Sequence, residues 1–100
     1  MLTARRKLEI FIEAHALESV EAMLGQSGFK GWSVFAGSEG AGVHGRWRQT
    51  GVEEKGLHLL IAIGDEQACE AALQWLDDYF KIYPGIVTVS AVQVMRGDRF

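Results

Sequence analysis

Few residues in this chain of 100 combine reactive side chains at a spacing that could do chemistry. His15, His44, His58 and Cys69 are the types that bind transition metals. Their separations match no ligand spacing, and a solvated or core-edge histidine is the ordinary reading of each. The segment GSEGAGVHG (37–45) has the glycine content of a phosphate-cradling loop. It lacks the Lys-Ser/Thr ending and leads into no helical pattern, so the P-loop reading fails. No nucleophile is paired with a base and no carboxylates cluster at useful spacing, so no catalytic residue is assigned and the chain reads as a non-enzyme. HGRWR sets Trp47 between Arg46 and Arg48, and Trp47 has two readings. It is a tip that buries against a partner protein, or an aromatic folded back on the base of its own loop. The Glu53-Glu54-Lys55 stretch reads as solvated.

Composition narrows the class. One hundred residues, 48% hydrophobic, suit a single domain spanning 1–100 with one modest core. A net charge of −3 and a pI near 5.5 disfavour a nucleic-acid partner, which calls for a broad basic face. No apolar run is long enough to span a bilayer, and the basic start MLTARRK is followed by no apolar signal core, so a cytoplasmic location is expected. The lone Cys69 cannot close a disulfide within the chain, and in ACEAAL it reads as a small core residue of a helix.

The elements that must position these residues follow from periodicity. KLEIFIEA (7–14) alternates Leu8, Ile10 and Ile12 against Glu9, Phe11 and Glu13, the pattern of a strand with one buried face. ALESVEAMLGQSG (16–28) gathers Leu17, Val20, Met23 and Leu24 on one helical stripe, with Gly25 and Gly28 as the stop. Residues 32–36 and 57–63 read as two strands, arms of a hairpin with an outsized connection. That connection, 37–56, holds six of the twelve glycines. With few large apolar side chains to offset its ordering entropy, it is expected to be mobile without ligand. Asp65 caps a second helix with the stripe Cys69, Ala72, Leu73, Leu76 and Phe80, leaving Asp77 and Asp78 in water. Pro84-Gly85 then turns the chain into a last strand over 86–95. The order βαββαβ predicts an α+β, ferredoxin-like fold: a four-stranded antiparallel sheet with two helices on one face. LHLLIAI (57–63) is apolar in both alternating sets except at His58, which predicts burial of both sheet faces and hence an oligomer.

This arrangement, with SGFKGWSV before the glycine-rich loop and VMRGDRF at the end, resembles the PII signalling superfamily across nearly the whole chain. The resemblance implies a homotrimer with adenine-nucleotide sites in the clefts between neighbours. Each site is lined by the base of the loop after the second strand (the T-loop, 37–56), the turn before the last strand (the B-loop) and the C-terminal segment (the C-loop). It places Ser33 near the adenine, a backbone amide at Gly37 near phosphate, Pro84, Gly85, Ile86 and Val87 in the B-loop, and Arg96 and Arg99 on phosphate oxygens. A guanidinium, permanently charged with paired donors, suits a diphosphate.

Departures from the PII pattern matter as much. No tyrosine for uridylylation stands between 37 and 56. Ile86 and Val87 replace the phosphate-gripping lysine, and Gln49 lies too far along the loop to serve as the glutamine that helps hold Mg–ATP and 2-oxoglutarate. The chain therefore looks more like the divergent PII-like proteins, some of them linked to carboxysomes and bicarbonate transport, that bind ADP, AMP or ATP. Arg46 and Arg48 are then candidates for a bicarbonate beside the nucleotide, Trp47 for contact with a regulated protein such as a membrane transporter. The ligand is regulatory, and no cofactor is implied. The alternative is a trimeric metal-binding, metal-tolerance protein of the same βαββαβ order, because fold does not decide function.

Overall fold

The computed structural model describes residues 1–43, 45–48 and 56–100, with Trp47 described by its backbone alone. His44, Gln49 and the Glu53-Glu54-Lys55 stretch lie outside the described residues. The chain runs β1 (Leu2–Glu13), a 3-10 turn (Ala14–Ala16), α1 (Leu17–Ser27), β2 (Trp32–Ala36), β3 (Glu39–Gly42), β4 (Gly45–Arg48), β5 (Leu57–Gly64), α2 (Glu66–Tyr79), β6 (Gly85–Met95) and a closing 3-10 turn (Gly97–Arg99). Four strands form an antiparallel sheet in the order β2-β5-β1-β6, and β3 pairs with β4 in a separate ribbon. The α+β ferredoxin-like expectation holds.

The alternation in β1 sets the layers. Leu8, Ile10 and Ile12 are fully buried, and with Leu60 and Ala62 of β5 they form the sheet side of the core. Val20, Met23 and Leu24 of α1 and Ala68, Cys69, Ala72 and Leu76 of α2 close it from above. β1 starts five residues earlier than its hydrophobic pattern indicates, because Leu2 to Arg6 pair with β6 whatever their side chains carry. Gly25 stays inside α1, and Gly28 alone, at φ 109°, makes the stop. Burial pushes the Cys69 thiol up, which keeps it protonated and unreactive, as a core residue should be.

Asp65 caps α2, its Oδ1 accepting a hydrogen bond from the Ala68 N–H at 2.8 Å. Asp65→Ala leaves that amide without its partner and is expected to cost about 1 kcal/mol of stability. In urea this reads as a lower midpoint at unchanged slope, and an unchanged midpoint would mean the cap contributes nothing.

Two features position the site. The first is the ribbon. The connection read as one mobile loop contains paired strands, with Glu39 opposite Arg48, Ala41 opposite Arg46 and Gly42 opposite Gly45. Antiparallel pairing satisfies backbone donors and acceptors locally without burying side chains, which hydrophobic patterning does not register. The second is the face away from the helices. Phe35, Leu59, Phe11 and Ile86 are register partners in one continuous row across all four strands. Phe35 is 51% exposed and Ile86 63%. In the next row, Ser33, Ile61, Glu9 and Thr88, three of the four residues are polar, so the apolar surface gathers toward one end of the sheet.

Candidate functional site

At that end two shallow clefts flank the apolar row and share Phe11 and Leu57. The first, about 260 Å³, is completed by Ile12, Glu13, Pro84, Gly85 and Ile86. The second, about 270 Å³, is completed by Phe35, Ala36, Gly37, Glu39, His58 and Leu59. A Cβ at Gly85 would stand where the Phe80 ring lies, so any larger residue here would displace that ring. Small-molecule sites occupy roughly 300–1,000 Å³, so each cleft falls short of a full site on its own.

The B-loop and T-loop-base residues come to the same end of the sheet but line separate clefts beside its two outer strands. Pro84, Gly85 and Ile86 line the first cleft and Gly37 the second, but Val87 points the other way, opposite Ile10, and packs against the core. Alternation in β6 puts it there, so its side chain cannot line a ligand site on the open face. The Gly37 amide is already engaged, donating to the Leu57 carbonyl at 2.8 Å where β2 and β5 continue to pair. Ser33 stands exposed on the open face opposite Ile61. Arg46 and Arg48 share one face of the ribbon and are exposed, with Arg48 Nη2 3.8 Å from Glu39 Oε2. Trp47 pairs with Gly40 through the backbone.

Arg96 and Arg99 are elsewhere. Leu2 pairs with Met95 at one end of the sheet and Ile12 with Gly85 at the other. At about 3.3 Å per residue, the ten steps of β6 from Gly85 to Met95 separate the arginines from the clefts by roughly 33 Å. Both arginines are exposed, on a turn anchored to β1. Within one chain the residues assigned to a single site thus fall into two half-sites, an apolar cleft pair and a cationic turn.

Several cleft residues escape sequence reasoning: Phe11, Glu13, Phe35, Glu39, Leu57 and His58. Phe11 carried a signal, an aromatic in the otherwise acidic set Glu9-Phe11-Glu13. His58 carries a ring Nδ1 that is buried with no hydrogen-bond partner. Among the described residues no three of His, Cys, Asp and Glu stand together as a metal site would need, and no helix is long and apolar enough to cross a membrane.

No curated protein matches the chain by sequence. Among solved structures it is similar to CPII, a nitrogen regulatory PII-like protein from Thiomonas intermedia K12, bound to ADP, AMP and bicarbonate: 28% identity, 100% of this chain and 96% of that one covered, TM-score 0.90. Against the apo form of CPII the TM-score is 0.76, at 26% identity over 94% of this chain and 95% of that one. A PII-like signalling protein from Thermus thermophilus shares the fold, at 23% identity over 99% and 97% of the two chains with TM-score 0.78. The family described as nitrogen regulatory protein P-II matches residues 5–99, and the chain belongs to that family.

Proposed function

We propose that this chain is a cytoplasmic PII-like signalling subunit that binds adenine nucleotide, ADP, AMP or ATP, together with bicarbonate, at sites between the copies of a homotrimer. The observation that carries the reading is the division of the site into two incomplete halves at opposite ends of the sheet. A cleft too small and too apolar for a charged nucleotide is completed when the neighbour's C-terminal turn brings Arg96 and Arg99 to its phosphates. The apolar row Phe35, Leu59, Phe11 and Ile86 is the surface that association would bury. Gly37, with Pro84, Gly85 and Ile86, lines the base side, Ser33 stands on the same face one row further along, and Val87 contributes only backbone.

Residues 37–56, emerging beside the second cleft, act as the T-loop that carries ligand occupancy to a regulated protein, a transporter for inorganic carbon, through Trp47. Bicarbonate sits near Arg46 or Arg48. The likeness to CPII structures bound to ADP and bicarbonate supports the choice of these ligands.

Calorimetry against ADP, AMP, ATP and cyclic AMP, each with and without bicarbonate, and against divalent copper tests the assignment. The expected result is binding of ADP and AMP, tighter in the presence of bicarbonate. Heat from copper alone would replace the reading with that of a metal-binding protein, and no heat from any adenine nucleotide would end it.

A further inference from the structure

The closing turn that carries Arg96 and Arg99 is poorly equipped to hold itself. It is a single 3-10 turn without a side-chain cap, closed by the Arg99 N–H to the Arg96 carbonyl at 3.0 Å and the Phe100 N–H to the Gly97 carbonyl at 3.1 Å. Arg96 itself sits at φ 57° and ψ 53°, the one side-chain-bearing residue with positive φ among the described residues. That conformation costs a residue with a Cβ free energy and persists only where the surroundings hold it.

What holds it is Arg5. From the open face of β1 its guanidinium grips the turn, Nε donating to the Phe100 main-chain oxygen at 3.2 Å and Nη2 to the Gly97 carbonyl at 2.9 Å, while Nη1 donates to the Ala4 carbonyl at 2.8 Å. Gly97 is buried against Thr3, which leaves no room for a Cβ and sets the turn down on β1. A second tether comes from the loop between α1 and β2, where Lys30 Nζ donates to the Asp98 carbonyl at 2.7 Å. Among the described residues Arg5 has no side-chain carboxylate partner, in contrast to its neighbour Arg6, which is paired with Glu66 and Glu70. Arg5 is thus committed to main-chain oxygens, and two of the three belong to the turn that displays the other two arginines.

We propose that Arg5, seconded by Lys30, is a positioning residue of the nucleotide site. It pre-orders the C-terminal turn so that Arg96 and Arg99 meet the phosphates without an ordering cost at the moment of binding. The proposal rests on the assignment of Arg96 and Arg99 made above. The planar fork suits this role, since it spans two carbonyl oxygens at fixed spacing as a lysine ammonium cannot.

The experiment is ADP calorimetry on the assembled protein for Arg5→Ala, Arg5→Lys, Arg99→Ala, the Arg5→Ala/Arg99→Ala pair and Arg6→Ala. Arg5→Ala is expected to weaken ADP about tenfold, the effect of losing one to two hydrogen bonds that order a charged group. Arg5→Lys recovers only part of that loss and carries the comparison if the alanine variant does not fold. Arg6→Ala, which removes the same charge one residue away, leaves affinity unchanged. The double variant loses less than the product of the single losses, because once the turn is released Arg99 contributes little. Hydrogen exchange should show amides 97–100 losing protection in Arg5→Ala while the centres of β1 and β6 keep theirs. Wild-type affinity in Arg5→Ala, or losses that simply multiply, beside a weakened Arg99→Ala would overturn the positioning role and leave the nucleotide assignment standing. An unchanged Arg99→Ala would remove the assignment and the proposal with it.

Discussion

Ile61→Glu is expected to convert the assembly into monomers that retain their secondary structure. Ile61 lies on the open face beside the apolar row, between Ser33 and Glu9 in register, and its side chain takes no part in the helix-side core. A carboxylate there leaves the isolated fold intact. It must be desolvated if another copy covers that face, at about 3 kcal/mol or more for each subunit. Sedimentation at micromolar concentration should show wild type as a trimer and the variant at one third of its mass, with matching far-ultraviolet circular dichroism. A wild-type monomer, or a variant that sediments as wild type does, would show that this face is not the interface. The apolar row would then need another occupant.

The second large effect is at the other end of the sheet. Arg96→Ala and Arg99→Ala should each weaken ADP binding by roughly 1.5–3 kcal/mol, the usual worth of a hydrogen bond to a charged group, while the trimer stays intact. The losses should fall mainly on the phosphates, so ADP suffers more than AMP. Because each site would take its cleft from one copy and its arginines from the next, a chain lacking both arginines, mixed with a chain whose first cleft is filled by Pro84→Trp, outside the apolar row, should regain a fraction of the binding sites in mixed trimers. Unchanged affinity in both arginine variants would place the site elsewhere. Absence of complementation alongside weakened single variants would mean that the arginines act on the ligand from within their own subunit.

The helices and main strands were legible in the sequence because each rests on local periodicity. Leu8, Ile10 and Ile12 declare a strand face at period two, and Cys69, Ala72 and Leu76 a helix face near period three to four. Asp65 announced its helix start through a side chain acting three residues away, the reach of a local hydrogen bond. The apolar residues on both faces of 57–63 likewise carried the prospect of association, since alternation alone assigns them to opposite sides of a sheet. The ribbon was not legible, because glycine-rich strands that pair through backbone alone leave no hydrophobic pattern.

Composition and local pattern thus determined the fold class, the two-sided apolar strand and the residue types available for anion recognition. Only the tertiary structure decided which of them share a place. It turned Val87 inward, engaged the Gly37 amide, tied Arg5 to the closing turn and set Arg96 and Arg99 a whole strand away from the clefts. The reason is that register and strand order are non-local. A residue's neighbour across a sheet is chosen by pairing over many tens of residues, as Leu2 is matched to Met95, and no spacing along the chain records that choice.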